Sequence, residues 1–248
     1  MEMDSAVRHD PAEGNRLGDG IIMIRKEHLT TVYLARHTEA YKNLAKVHGG
    51  GDQRLTPRGV SQAEILGSTL AANSTESEQD LAIIHQPEGR SKATAQVIGA
   101  VASKPLIEVP ALAGVSLGIV EGLSEPELAE RYPEVASALA TWRTSDGSLD
   151  ARPPVPGSER MEEFADRVHT GLVASIDGCG PHTSLAVVGT TSTLNMLNHL
   201  LINDGSFVRP SYDFIHFPLG SYATWEVSSA PPKKTLPITI CVEVEGDT

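Results

Sequence analysis

Short apolar runs alternate with helical patterns along most of the chain. Runs at 31–35 (TVYLA), 81–84 (LAII), 106–109 (LIEV) and 184–188 (SLAVV) have the length and composition of strands. Stretches with apolar residues three and four positions apart follow most of them. This alternation is typical of a mostly parallel sheet covered on both faces, so we predict an α/β fold, a three-layer α/β/α sandwich.

The helical patterns contain three apolar stripes that are expected to face the core. The first helix is predicted to begin with Thr56 as N-cap and Pro57 at its first position. The stripes are Val60, Ala63, Leu66 and Leu70 in this helix, Met161, Phe164, Val168 and Leu172 in a second, and Leu194, Leu197 and Leu201 in a third.

Less regular patterns occupy the two ends and one middle stretch. Residues 1–29 predict a flexible N-terminal tail, and residues 30–248 a single domain. The runs at 221–227 (SYATWEV) and 235–245 (TLPITICVEVE) indicate strands near the sheet edge. A lid-like insertion is expected around 111–157.

The charge and composition of the chain limit the classes of binding partner that can be expected. The chain of 248 residues carries a net charge of −12 and has a pI of about 5.2. A nucleic-acid or anionic-membrane surface needs clustered positive charge, so neither is predicted, and a small molecule is the expected partner. No apolar run approaches the roughly 18 residues of a membrane span. We predict a cytoplasmic protein and leave a homodimer open.

Neither a metal nor a cofactor is predicted. Cys179 and Cys241 lack C-x-x-C spacing and are interpreted as buried free thiols. Ligand spacing is also missing among four histidines, which are His48, His182, His199 and His216.

Three loops that follow predicted strands carry the candidate chemistry. In an open α/β sheet, ligands bind outside the carboxyl ends of the strands. This rule selects residues 36–43, 85–90 and 189–192, and it brings Arg36, His37 and Arg90 together if the strands are neighbours. Planar guanidinium groups suit phosphoryl oxygens, and a neutral imidazole nitrogen can attack phosphorus.

The same segments resemble the histidine phosphatase superfamily, which includes phosphoglycerate mutases and many small phosphatases. LARHTEAYKN (34–43) is similar to its Arg-His-Gly signature with the following Glu39 and Asn43, although Thr38 replaces the glycine. RLTPRGVSQA (54–63) resembles its Leu-Thr-x-x-Gly-x-x-Gln-Ala helix start. HQPEGRSKATA (85–95) places Arg90 on its second phosphate arginine, and GIVEG (118–122) and PGSERMEEFADRV (156–168) fit its pocket-framing segments.

Two positions depart from that family pattern. Thr190 stands in VVGTTS where the resemblance implies a second catalytic histidine, and Gly114 stands where it implies the general-acid glutamate. Losing a general acid costs about 10²- to 10⁴-fold in rate, and losing one preorganised donor about 10²- to 10³-fold. The chain is therefore expected to be impaired in standard phosphatase chemistry.

Several residues could compensate for these departures. Glu88 is the preferred substitute acid because it shares a loop with Arg90, and Glu39 and Glu121 are alternatives. Thr190 can donate one neutral hydrogen bond to an anion, and the resemblance assigns phosphate or substrate orientation to Asn43.

Two functions follow from this set. In the first, an enzyme uses the pocket of Arg36, His37 and Arg90 on a phosphate- or carboxylate-bearing metabolite, by slow phosphoryl transfer or by a non-phosphoryl reaction in a widened pocket. In the second, a pseudophosphatase binds a ligand or a protein without turnover. Retention of the expected nucleophile with both arginines favours the enzyme.

Some residues have a second interpretation. His85 could add an imidazole to the pocket, although backbone hydrogen bonds are the simpler role. Tyr41, Trp142 and Trp225 could line it, with packing as the default. A serine hydrolase is the remaining alternative: HGGG (48–51) and GVSLG (114–118) imitate an oxyanion loop and a nucleophile elbow around Ser116, with Asp213 and His216 in the required order.

Overall fold

A central sheet organises the molecule. The computed structural model describes residues 29–144, 155–180, 182–203, 205–207 and 215–226. Within these ranges the strand order is β3-β2-β4-β1-β5, and all neighbours are parallel except β1 and β5. The strands are β1 (Leu29–Arg36), β2 (Asp80–His85), β3 (Leu106–Glu108), β4 (Thr183–Gly189) and β5 (Tyr222–Glu226).

Helices cover both faces of this sheet. Two 3₁₀ helices, Pro110–Leu112 and Gly118–Val120, follow β3. The α-helices are α1 (Tyr41–Leu44), α2 (Pro57–Glu76), α3 (Gly89–Ala102), α4 (Glu125–Arg131), α5 (Pro133–Thr144), α6 (Met161–Asp177) and α7 (Thr191–Ile202).

The alternation of side chains along β1 shows how the layers form. Val32 and Leu34 belong to a buried cluster with α6 and α7, whereas Tyr33 and Ala35 belong to a second cluster with α2 and α3. Successive side chains of a strand point to opposite faces, so each face of the sheet buries its own helices. The predicted α/β sandwich with a mostly parallel sheet is confirmed.

Most of the predicted helix details hold. Thr56 caps α2 by accepting a hydrogen bond from the Gly59 amide at 3.0 Å, and Pro57 begins the helix. The stripes of α6 and α7 are buried. Val60 is the exception: it is 37% exposed, because the buried face of α2 is instead built on Gly59, Ala63, Leu66 and Leu70.

The register of the sheet positions the candidate loops. Arg36 of β1 pairs with Gly189 of β4, and His85 of β2 pairs with Val188. The ends of three adjacent strands therefore lie side by side, which is the neighbour relation that the pocket requires.

The stretch after β3 has its own small core of Val120, Leu128, Leu139 and Val155. Ser124 caps α4 through its side chain. The expected lid-like role of 111–157 stays a prediction. The tail expected at 1–29 lies outside the described residues except for Leu29, which instead begins β1. The strand expected at 235–245 also lies outside them. No helix inside the described ranges is both long and apolar enough to span a membrane.

Candidate active site

The segments after β1, β2 and β4 line an open cavity of about 350 Å³. The preferred acid Glu88 does not line this cavity, and neither do the alternative acids Glu39 and Glu121. The lining includes Arg36, His37, Asn43, Arg90 and Thr190.

His37 is held in one tautomer. Its Nδ1 lies 2.8 Å from the carbonyl oxygen of Thr38, to which it can only donate. Its Nε2 accepts a hydrogen bond of 2.9 Å from Arg90 Nε. Burial, and then the charge of Arg90, hold the pKa of His37 well below its usual value. The ring is therefore neutral at physiological pH and keeps its lone pair on Nε2, which faces a guanidinium group.

Two arginines flank this imidazole. Arg90 donates from Nη1 to Gln53 Oε1 at 2.7 Å, and Arg36 donates to the carbonyl of Phe217. Burial and the charge of Arg90 lower the pKa of Arg36 to about 10, so it stays protonated at neutral pH. Among the described residues, Arg36 Nε is buried without a hydrogen-bond partner. The pocket thus offers donors to an anion.

The N-terminus of α2 holds the loop that carries His37. A Cβ atom built on Gly59 would lie 2.0 Å from the carbonyl oxygen of Glu39. The carboxylate of Glu39 accepts a hydrogen bond of 2.7 Å from the Thr56 hydroxyl. Glu39 is therefore engaged in this junction. Asn43 is also partly engaged, because its Oδ1 accepts the amide of Ala40 at 3.0 Å.

Glu88 lies against Gly114, at a point that Thr190 also approaches. Its Oε1 accepts the backbone N–H of Gly114. A Cβ atom on Gly114 would lie 3.1 Å from this oxygen and 3.2 Å from Thr190 Oγ1. Oε2 of Glu88 is buried and has no hydrogen-bond partner within the described ranges. The space beside Gly114 is therefore occupied by another carboxylate, which the expectation of a widened pocket did not include.

Two side chains that the sequence did not single out, the buried Gln86 and the half-buried Arg167, fix this arrangement. Gln86 accepts the N–H of Thr190 and donates to the carbonyl of Leu112. Arg167 donates to the carbonyls of Ala113 at 2.7 Å and Gly114 at 2.9 Å. Both connect separate segments of the chain, so residue spacing provides no signal for them.

Lys42, Lys46, His48 and Glu125 also line the cavity, and sequence reasoning missed all four as site residues. Lys42 directly precedes Asn43, and a glycine-rich stretch (49–51) follows. That adjacency was the one available signal, because glycines allow a loop to fold closely over a neighbouring side chain.

His85, Tyr41 and Trp225 do not line the cavity. His85 bonds through Nδ1 to the carbonyl of Gln86 at 2.7 Å, the backbone role. Tyr41 is 42% exposed and lies against Arg54, whereas Trp225 is buried in the core. The side chain of Trp142 lies outside the described residues. No group of three or more potential ligands that could hold a metal occurs among the described histidines, cysteines and carboxylates.

The serine hydrolase alternative is wrong. Ser116 follows the 3₁₀ helix Pro110–Leu112 rather than a strand, and the next α-helix begins only at Glu125. The Ser116 hydroxyl donates a hydrogen bond to Glu121 Oε1 at 2.9 Å. This bond also engages the Glu121 carboxylate, which was an alternative acid. His216 is exposed, and Asp213 lies outside the described residues. A nucleophile elbow needs a strand before the serine and a helix directly after it.

Known proteins with similar sequences have names that refer to phosphorylated small molecules. A protein of Salmonella choleraesuis named "Probable phosphoglycerate mutase GpmB" is 30% identical over 149 residues, covering 59% of this chain and 63% of that protein. The match therefore spans less than two thirds of that relative's length.

Solved structures share the fold at low identity. The alpha-ribazole phosphatase of Shigella flexneri superposes with a TM-score of 0.66 at 18% identity, over 87% of this chain and 100% of that chain. A mycobacterial glucosyl-3-phosphoglycerate phosphatase in complex with VO3 gives 0.62 at 19%, over 79% and 90%. A family model also matches residues 32–210, well over half of the sequence. The chain belongs to the histidine phosphatase superfamily, branch 1.

Proposed function

We propose that the chain hydrolyses a small phosphomonoester through a covalent intermediate on His37. The observation that carries this proposal is the neutral His37 ring, whose Nε2 faces Arg90 in a cavity that Arg36 also lines. A nucleophilic imidazole must be unprotonated on the attacking nitrogen, and guanidinium groups stabilise charge on the transferring oxygens. The relatives named above act on, or are named for, phosphorylated small molecules.

The reaction would proceed in two balanced steps. The Nε2 lone pair of His37 attacks phosphorus, the bond from phosphorus to the ester oxygen breaks, and the departing alkoxide takes a proton from the Glu88 carboxyl group. Water then attacks the phosphohistidine, gives its proton to the Glu88 carboxylate, and the N–P bond breaks to release phosphate and neutral His37. Arg36 and Arg90 hold the phosphoryl oxygens, and Asn43 and Thr190 orient the group.

Glu88 is the proposed proton donor because of its neighbours. Its Oε1 and Thr190 Oγ1 approach the same point beside Gly114, and Thr190 lines the cavity. The hydrogen bond from the Gly114 amide fixes one oxygen, so the buried Oε2 is the one available to carry a proton. This arrangement gives the site a carboxyl group without a glutamate at position 114.

One observation favours the pseudophosphatase as a second candidate. Arg90 Nε donates to the very nitrogen of His37 that would attack phosphorus. Unless Arg90 turns toward a bound phosphate, this hydrogen bond keeps the Nε2 lone pair from attacking phosphorus. The pocket would then bind an anion without turning it over.

Phosphate release from a panel of phosphomonoesters separates the two candidates. We would compare the wild-type chain with His37→Asn and with His182→Asn, an exposed histidine with φ of 54° that asparagine tolerates. The proposal expects release that is lost in His37→Asn and kept in His182→Asn. Release that survives in His37→Asn excludes covalent catalysis at His37. Phosphate binding without release from any ester favours the pseudophosphatase.

A further inference from the structure

The side chain of Lys42 is buried in the same cavity, and its charge has little to balance it. Lys42 is only 6% exposed, although it lies on the short helix α1. Its ammonium group donates to the carbonyl of Gly49. An ammonium has three donors, and none of the ion pairs among the described residues involves this one. A lysine is rarely buried in this way unless it is paired.

A dedicated loop covers Lys42. The N–H of Lys42 donates to the carbonyl of Asp52 at 2.8 Å, and a Cβ on Gly51 would lie 3.4 Å from Lys42 Cβ. Gly49 has a φ of +60°, a left-handed conformation that glycine adopts without strain. The loop is fastened by hydrogen bonds between His48 and the backbone of 122–123. The burial of Lys42 is thus built into the fold.

The charges that face Lys42 are mostly of its own sign. Arg90 repels it, and Lys42 in turn contributes to the lowered pKa of His37, so all three groups share one electrostatic environment. Arg36 and Lys46 line the same cavity, and Glu125 is the one carboxylate among its lining residues in the described part of the chain. Glu88 opposes them, but only in part, because burial and Arg90 outweigh its attraction in lowering the pKa of Lys42 to about 8.

Clustered buried cations raise the free energy of the folded state unless an anion neutralises them. Removing a charged group from water is costly, and like charges add to the cost. The cavity, the Lys42 ammonium without an ion pair and the buried Arg36 Nε all suit one kind of ligand, a compact anion with several acceptor oxygens. A phosphoryl group fits, because it presents three oxygens and carries nearly two charges.

We propose that Lys42 is a third phosphate-binding cation, which supplies from the loop after β1 the positive charge that Thr190 cannot supply from the loop after β4. This inference rests on the proposed function for its ligand and deepens it, since three cations select the dianionic form of a phosphomonoester over monoanionic groups such as carboxylates. With Glu88 beside Gly114, both departures from the family pattern would then have a replacement elsewhere in the pocket.

Inorganic phosphate binding provides a test that does not depend on turnover. We would measure Kd by calorimetry for the wild-type chain, Lys42→Met and Lys42→Arg, with Lys92→Met as the control. Lys92 is an exposed lysine on α3 that pairs with Glu108 at 3.0 Å, so its variant removes the same charge away from the cavity. We expect Lys42→Met to weaken binding about tenfold or more, Lys42→Arg to restore part of it, and Lys92→Met to stay within about twofold of wild type.

Thermal unfolding of the same proteins separates binding from structure. A binding role predicts that Lys42→Met unfolds at the same or a higher temperature than wild type in the absence of phosphate. The inference is overturned if Lys42→Met binds phosphate like wild type, if it loses binding and thermal stability together, or if the wild-type chain does not bind phosphate. If phosphate binding depends on Lys42 but no ester is hydrolysed, the inference stands and the proposed function fails. If hydrolysis occurs and is unchanged in Lys42→Met, the proposed function stands and the inference about Lys42 fails.

Discussion

The proposed role of Glu88 as the proton donor can be tested by removing its one acidic proton. If it protonates the leaving group, Glu88→Gln should lower kcat by about 10²- to 10⁴-fold for alkyl phosphates, whose alkoxides need a proton. The loss should be much smaller for p-nitrophenyl phosphate, whose leaving group departs without one. Glutamine keeps the hydrogen bond to the Gly114 amide, so the comparison isolates the proton.

Glu64→Gln, at an exposed position of α2, is the matched control and should leave both substrates unaffected. An equal loss on both substrates would show that Glu88 positions the loop and does not act as the acid.

A glutamate side chain at position 114 would compete with Glu88 for the same space. We expect Gly114→Glu alone to reduce phosphate binding and stability, because its Cβ would meet Glu88 Oε1 at 3.1 Å and Thr190 Oγ1 at 3.2 Å. Two carboxylates in one buried site also repel each other. Combining Gly114→Glu with Glu88→Ala should relieve both problems, and chemical denaturation with a phosphate titration would show it. If the single variant is as stable as wild type, Glu88 is free to move away.

Sequence reasoning found Arg36, His37 and Arg90, which line the cavity, but it missed Lys42. Arg36, His37 and Arg90 follow apolar strands, so the rule for ligand sites at strand ends located them. Lys42 was missed because a lysine in a polar stretch is expected to be solvated. Its burial depends on the loop at 49–52, which hydrogen bonds between His48 and residues 122–123 hold in place. Contacts across such distances in the chain leave no periodic signal.

At the scale of elements, the start of α2 determines where the His37 loop lies. Gly59→Ala would place a methyl group 2.0 Å from the Glu39 carbonyl, so the loop or the helix must shift. We expect a loss of about 1 to 3 kcal/mol in the free energy of unfolding, although alanine is the better helix former by about 1 kcal/mol. Phosphate binding should weaken as well, since His37 lies in the displaced loop.

Urea denaturation measures this loss, with Ser68→Ala on the exposed side of α2 as the control that should be neutral or stabilising. If Gly59→Ala were as stable as wild type, the close approach of α2 to Glu39 would not constrain the loop.

The elements themselves were largely predictable. β1, β2, β3 and β4 are apolar runs, and the stripes of α6 and α7 repeat at helical spacing. Val60 was assigned to the wrong face because Gly59, which has no side chain, marks the true contact. Hydrophobic periodicity detects packed side chains, and it cannot detect a contact made by the backbone.

At the scale of the whole molecule, the charge of the cavity opposes the charge of the chain. The chain carries a net charge of −12, yet Arg36, Lys42 and Arg90 gather around one cavity. Burial is the largest cause that lowers the pKa of Lys42 to about 8, and the charge of Arg90 adds to it. The folded state therefore holds this proton less tightly than the unfolded chain does, and stability must depend on pH.

The sign of that dependence follows from the two pKa values of Lys42, about 8 in the folded chain against 10.5 in its ordinary state. Below pH 8 both states hold the proton, so the folded state bears the full cost of the buried charge. Between pH 8 and 10.5 the folded state releases its proton first, and stability rises relative to a chain without this group. We expect Lys42→Met to be more stable than wild type by roughly 1 to 3 kcal/mol at pH 7, with a gap that shrinks as pH approaches 10.5. Urea denaturation across pH 7 to 10.5 measures the gap, and a gap that stays constant would mean that Lys42 titrates as a solvated lysine and that its burial creates no demand for an anion.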